Sequence, residues 1–253
     1  MKTITLLTFL IIILAACQGD NDSASFAPNN GGASGQGGSL ARFAIADNYL
    51  YILDNNSLQS YDISSEQNPI KRSRVTIGSD IETIFPYQNM LFIGTRSGML
   101  IYDRSNPAEP SFVSRYEHIV SCDPVVVQGN YAYVTLRNGT PCRFGNNLLE
   151  VIDVSNPASP QLLNSYSMLN PHGLGVDGNS LFVCEGSHGL KVFNIDNPEE
   201  PELVQFIENV DSYDVIPRSN LLILTGSEGI FQYQYDSGQN LNQLSQIQWE
   251  KNY

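Results

Sequence analysis

From residue 40 onwards, short apolar runs alternate with polar turns rich in Gly, Pro, Asn and Ser. In the segment 150–166 (EVIDVSNPASPQLLNSY) the run Val151, Ile152 and Val154 is followed by a polar turn from Ser155 to Pro160. A second run, Leu162, Leu163 and Tyr166, comes after it. Apolar runs of this length bounded by turn residues predict strand, tight turn, strand. The same pattern recurs at 60–75, 101–116 and 192–206, and in decayed form at 232–247. The residue pairs closing the first run are Tyr61-Asp62, Tyr102-Asp103, Ile152-Asp153, Phe193-Asn194 and Tyr233-Gln234, spaced by 41, 50, 41 and 40 residues. The long interval contains an insertion near 138–147. The turn keeps register, since Pro69, Pro110, Pro160 and Pro201 each stand seven residues after the second member of their pair.

Two further apolar runs precede each pair. One column is 49–53, 90–94, 131–136, 181–184 and 221–224; just before it lie 43–46, 84–87, 125–128, 174–177 and 215–218. Each repeat therefore holds four short strands, and no capping box leads into a run of helical period. Many strands are apolar on both faces, so both faces must be covered. Four-stranded units of about 40–45 residues predict an all-β protein, a β-propeller of five four-stranded blades. The blades fall at about 40–79, 80–120, 121–169, 170–208 and 209–253, each running from inner to outer strand. Radial closure would pack every blade between two neighbours and protect the strand edges, with the ring closed by blade packing rather than by a shared strand.

The 253 residues, 42% of them hydrophobic, suffice for one large core, and the net charge of -13 argues against a nucleic-acid partner because phosphate would be repelled. The N-terminus changes the picture. Residues 1–16 read as a signal peptide: Lys2 is a small basic region and 4–14 an apolar stretch too short to span a bilayer. It ends in Leu14-Ala15-Ala16-Cys17, which resembles a bacterial lipobox. Lipidation of Cys17 by a palmitate-type chain would anchor the protein to the membrane rather than span it. The expected location is the bacterial cell envelope, at the outer membrane and exposed at the cell surface. The acidic Asp20-Asn21-Asp22 after the cysteine resembles surface-export signals of Bacteroidetes lipoproteins. Residues 17–39 form a Gly-, Ser- and Asn-rich linker without apolar periodicity.

The run Leu148-Leu149-Glu150-Val151-Ile152-Asp153-Val154-Ser155-Asn156-Pro157, following Gly129-Asn130-Tyr131-Ala132-Tyr133-Val134, resembles the LVIVD repeat of bacterial secreted propellers. Gly178-Asn179-Ser180-Leu181-Phe182-Val183 and Gly189-Leu190-Lys191-Val192-Phe193-Asn194-Ile195 match it as well. The resemblance covers about residues 40–235, closest in repeats three and four. It implies a propeller in a secreted or cell-surface setting and transfers no catalytic residues.

Asp62, Asp103 and Asp153 sit where a strand enters a turn, and a short carboxylate there accepts backbone N–H bonds and fixes the turn. The residues opening the inner strands, Ala41, Glu82, Asp123, His172 and Tyr213, would ring one mouth of the central channel. Glu82, Asp123 and His172 from adjacent blades are candidates to bind a divalent metal, with Tyr213 or Asp214 beside them, although no cofactor is required by any motif. Loops bring His188, Arg96, Glu228, Arg137, Arg143 and His118 to the same rim, where solvated polar residues are the alternative to a ligand site. Cys122 and Cys142 are candidates for a disulfide that ties down the insertion, or for two unpaired thiols, and Cys184 reads as a buried free thiol. No G-x-S-x-G, H-E-x-x-H, P-loop or C-x-x-C occurs. The pattern as a whole points to an envelope-anchored binding scaffold taking a protein or glycan on its channel-mouth loops. The alternatives are a metal-assisted hydrolase or lactonase-like propeller enzyme, and a purely structural envelope protein.

Overall fold

The computed structural model describes residues 38–117, 124–139 and 146–249. Cys17, His118, Cys122, Asp123, Cys142 and Arg143 lie outside the described residues.

Five four-stranded antiparallel sheets follow one another along the chain. Blade one is β1 (Phe43–Ala46), β2 (Tyr49–Asp54), β3 (Ser57–Asp62) and β4 (Ile70–Thr76). Blade two is β5 (Ile81–Tyr87), β6 (Met90–Thr95), β7 (Gly98–Asp103) and β8 (Ser111–Glu117). Blade three is β9 (Val125–Gln128), β10 (Tyr131–Leu136), β11 (Leu148–Asp153) and β12 (Gln161–Ser167). Blade four is β13 (Leu174–Asp177), β14 (Ser180–Cys184), β15 (Leu190–Asn194) and β16 (Glu202–Ile207). Blade five is β17 (Asp214–Arg218), β18 (Leu221–Gly226), β19 (Gly229–Tyr235) and β20 (Leu241–Gln248), so the last, polar repeat forms a complete blade. The protein has the β-propeller fold that the repeat predicts, and the strand columns stand within three residues of their expected bounds.

Local chemistry explains the repetition. In every blade the third and fourth strands slip register by one residue, as at Ile101/Tyr102 and Val192/Phe193. The bulge sits at the residue pair that sets the repeat, and it twists the outer strand. The turn that follows is fixed as expected. The Asp62, Asp103 and Asp153 carboxylates accept the backbone N–H of Ser64, Ser105 and Ser155 at 3.0, 2.7 and 2.8 Å, and the Asn194 side chain accepts that of Asp196 at 2.7 Å. The turn of one blade is gripped by the blade before it. The Tyr51 hydroxyl donates to the Pro107 carbonyl at 3.1 Å, Ser114 to that of Pro157 at 2.5 Å, and Tyr133 to that of Pro198 at 3.3 Å.

The core is divided among the blade interfaces. Four apolar clusters join blades one and two, two and three, three and four, and four and five. An aromatic side chain of the second strand anchors each: Tyr51, Phe92, Tyr133 and Phe182, all buried. Blade five carries Ile223 in this column, and it is exposed. Among the described residues no cluster joins blade five to blade one. The packed closure expected from the sequence is replaced by a link near the axis. Ser39 donates to the Asp214 carboxylate of blade five at 3.2 Å and accepts from the Leu174 N–H of blade four at 2.8 Å. Two residues on, the Ala41 carbonyl accepts from the Ile84 N–H of blade two at 3.0 Å. The segment assigned to the linker thus enters the fold at Gly38, with Ser39 buried.

Candidate functional site

All five inner strands line a central cavity of about 490 Å³. Gly38 and Ser39 lie at the end where the inner strands begin. Asp47, Gln88 and Gln128 mark the other end, where Arg104 donates from Nη1 to Asp47 at 2.8 Å and from Nε to the Gln88 carbonyl at 2.9 Å.

The rim where the inner strands begin carries the charged chemistry, and the structure divides the expected ring into two parts. Glu82 lies on the blade two side, its carboxylate 3.6 Å from Arg96 Nε, and Arg96 also reaches Asp80 at 3.2 Å. His172 and Tyr213 meet on the blade four and five side, with ring centroids 5.5 Å apart. His188 is exposed in the β14–β15 turn. Among the described residues no three His, Cys, Asp or Glu side chains come close enough to hold a metal ion. Asp123, the middle member of the expected trio, lies outside them.

His172 is held from several sides. Arg137 Nη1 lies 2.9 Å from its Nδ1 and 3.1 Å from its Nε2, and the Asn170 amide nitrogen is 3.3 Å from Nε2. Its backbone N–H bonds to the Cys184 carbonyl at 2.8 Å, and its own carbonyl accepts from Thr135 at 2.6 Å. Gly186 leaves the space for this packing: it has φ of 58°, and a Cβ there would stand 2.6 Å from the Asn170 amide and 2.9 Å from His172 Nε2. Burial and then the neighbouring Arg137 cation push the His172 pKa down to about 4, against a smaller opposing pull from Glu185. The imidazole is therefore neutral at pH 7, with the Arg137 cation set against its ring.

Beneath the histidine lies a buried ion pair that the sequence reading did not single out. Glu185 is fully buried, 2.5 Å from Lys191 Nζ, and its carboxylate also accepts the N–H of Leu169 at 3.0 Å and of Asn170 at 2.7 Å. Lys191 lies over the Phe206 ring at 5.5 Å. The signal was present in the repeat. The column Gln59, Leu100, Glu150, Lys191 and Phe231 places a cation inside an otherwise apolar strand, and such a charge needs a buried partner. Asp214, which the sequence places beside the candidate metal residues, is a second charged group drawn into the fold. Burial pushes its carboxyl up to about 6, opposed by hydrogen bonds from the Val215, Leu40 and Ser39 backbone and from the Ser39 hydroxyl. Cys184 is a buried free thiol, as expected, with its pKa pushed up by burial.

The sequence model of the LVIVD repeat matches residues 37–76, 84–118 and 121–168. This chain is an LVIVD-repeat protein. The match covers blades one to three, whereas the resemblance read from the residues is closest in repeats three and four. No curated protein matches the LVIVD chain. Among solved structures it is similar to a functionally unknown protein from Desulfotomaculum acetoxidans, with a TM-score of 0.66, 9% identity, and coverage of 87% of this chain and 70% of that one. It is also similar to the periplasmic gluconolactonase PpgL of Pseudomonas aeruginosa, with a TM-score of 0.60, 12% identity and coverage of 79% and 67%. A third is BamB from Moraxella catarrhalis, with a TM-score of 0.55, 8% identity and coverage of 73% and 53%. At these identities the likeness is one of fold. The LVIVD chain spans between about half and 70% of the length of these structures.

Proposed function

We propose that this LVIVD-repeat protein is a binding scaffold of the bacterial cell envelope. Lipid on Cys17 holds it to the outer membrane, and it takes a protein or glycan partner on the rim formed by Arg137, His172 and Tyr213. The observation that supports this reading is the preorganised rim. A neutral imidazole, a guanidinium and a tyrosine ring 38% exposed stand together over a buried Glu185–Lys191 pair. Aromatic faces and an Arg donor fork on a rigid base suit hydroxyl-rich or peptide ligands, because little conformational entropy is lost on binding.

The test places a photocrosslinker at His188, exposed on this rim, and at Glu66, exposed in the blade one turn, in cells that carry the full chain. The expected result is discrete adducts from the rim position only, lost in Tyr213→Ala. Equal labelling from both positions, or adducts indifferent to Tyr213→Ala, would count against the rim. Envelope attachment is tested separately, since Cys17→Ala should move the protein out of the membrane fraction.

A second reading, a metal-assisted hydrolase using Glu82, Asp123 and His172, has in its favour that His172 is neutral and able to ligate. Against it stands Arg137 Nη1, within 3.1 Å of both ring nitrogens, where a metal cation would be repelled. Stoichiometric metal in the purified protein, lost in Glu82→Ala and Asp123→Ala, would favour this reading over the scaffold.

A further inference from the structure

The inner three strands of blades two, three and four are covered on both faces, while blades one and five each have one face uncovered in those strands. In β1 the alternation is complete: Ala44 and Ala46 are buried against blade two, whereas Phe43 is 57% and Ile45 37% exposed. In β18, Leu222 and Leu224 are buried against blade four, whereas Leu221 is 39% and Ile223 41% exposed.

The repeat register identifies what these faces are. Blade two packs on blade one through Ile84, Leu91, Ile93, Leu100 and Tyr102. The residues 41 positions earlier are Phe43, Leu50, Ile52, Gln59 and Tyr61, so the open face of blade one is a copy of the face that blade two buries. Blade one in turn meets blade two through a row running across its strands, Ala44, Tyr51, Leu58 and Val75. The same row in blade five is Ile216, Ile223, Ile230 and Ile247, paired in the same registers and apolar throughout, with Ile247 66% exposed. The chain therefore carries both halves of a contact that it makes internally four times, one half at each end of the arc.

Charge disfavours one of the like-to-like ways these halves could meet. The outer part of the blade one face presents Lys71 and Arg74, paired in register with Tyr61 and Gln59; Asp54 offsets Arg74 at 3.1 Å, so two such faces together would still oppose their Lys71 cations. The corresponding part of blade five presents Gln232, Gln234 and Ser245, which are uncharged and able to accept hydrogen bonds. We infer that the LVIVD chain associates with a second copy of itself head to tail, the isoleucine row of blade five in one copy seating on the Phe43–Tyr61 face of blade one in the next. Such a contact is heterologous and propagates from copy to copy. One sheet face measures about 20 Å on a side, which puts the buried area at the low end of specific interfaces and makes the association reversible.

Sedimentation of the full chain over a concentration series tests this, with Phe43→Glu and Ile223→Glu as variants at positions exposed in the single chain. The wild type is expected to rise in mass past the dimer. Each variant alone is expected to stay monomeric, because one half of the contact is blocked. An equimolar mixture of the two is expected to form a dimer and nothing larger, since each then supplies the half the other lacks. A wild type that stays monomeric at every concentration would overturn the inference, whether the two faces close on each other within one chain or another segment covers them. Assembly that survives in either variant alone would also overturn it, by showing a like-to-like contact, and so would a mixture that fails to dimerise. Ile45→Glu and Leu221→Glu give the same readout should either first variant fail to fold.

Discussion

Asp214 stands at the point where the N-terminal segment crosses from blade five towards blade two, and its titration should be readable as stability. Burial raises its folded-state pKa from 3.8 to about 6, even though it accepts hydrogen bonds from Val215, Leu40 and Ser39. A carboxyl raised in the folded state binds its proton more tightly there than in the unfolded chain. Its contribution is fully favourable below about pH 3.8 and is lost as pH rises to about 6. At about 1.36 kcal/mol per pH unit, the difference between 3.8 and about 6 amounts to about 3 kcal/mol of stability lost across that window. Asp214→Asn keeps one acceptor oxygen and removes the ionisation. The measurement is urea unfolding of both proteins at a series of pH values from about 4 to about 7.5, with the difference in unfolding free energy taken at each. His172 titrates in the opposite sense: its pKa is lowered, so the stability it contributes is lost as pH falls below about 6.5. Taking the difference between the two proteins cancels it, along with the Asp62, Asp103 and Asp153 carboxylates. The asparagine variant should gain on the wild type by about 2–3 kcal/mol as pH rises through the window. A difference that stays constant with pH would refute the reasoning, because the carboxylate would then be as well solvated in the fold as out of it.

Glu185 and Lys191 form a buried pair, so Glu185→Gln or Lys191→Met alone should cost about 3–5 kcal/mol in urea unfolding, and the double variant distinctly less than the sum. His172 should titrate near pH 4 by NMR, and Arg137→Gln should raise that value while leaving it below 6.5, because burial remains the larger cause. Gly98→Ala should destabilise by more than about 1 kcal/mol, since φ is 145° and the added Cβ would stand 1.9 Å from the Tyr116 carbonyl oxygen. Phe182→Ala should cost about 3–5 kcal/mol by emptying the anchor between blades four and five.

The blades are legible along the chain. A period near 41 residues, short apolar runs between polar turns and a carboxylate or amide at each strand–turn junction are local signals, and each corresponds to a local contact: a ladder, a bulge, an Asx turn. The aromatic column and the lone lysine in β15 were legible in the same alignment, though the partner of that lysine was not. Glu185 lies in the preceding turn and becomes a partner only when the hairpin folds back on itself. The rim was legible only as a roster. That His172 meets Arg137 and Tyr213, while Glu82 turns to Arg96, depends on which blades are neighbours and on where each loop ends. Closure of the ring is a property of the assembled blades. Phe43 and Ile223 have the apolar character of buried residues, and no pattern along the chain says whether two distant faces meet. In this fold the segment beginning at Gly38 bonds to blades five, four and two near the axis, and among the described residues no apolar cluster joins blade five to blade one. The sum of four blade-to-blade packing angles sets the gap, and that sum is a property of the whole arc.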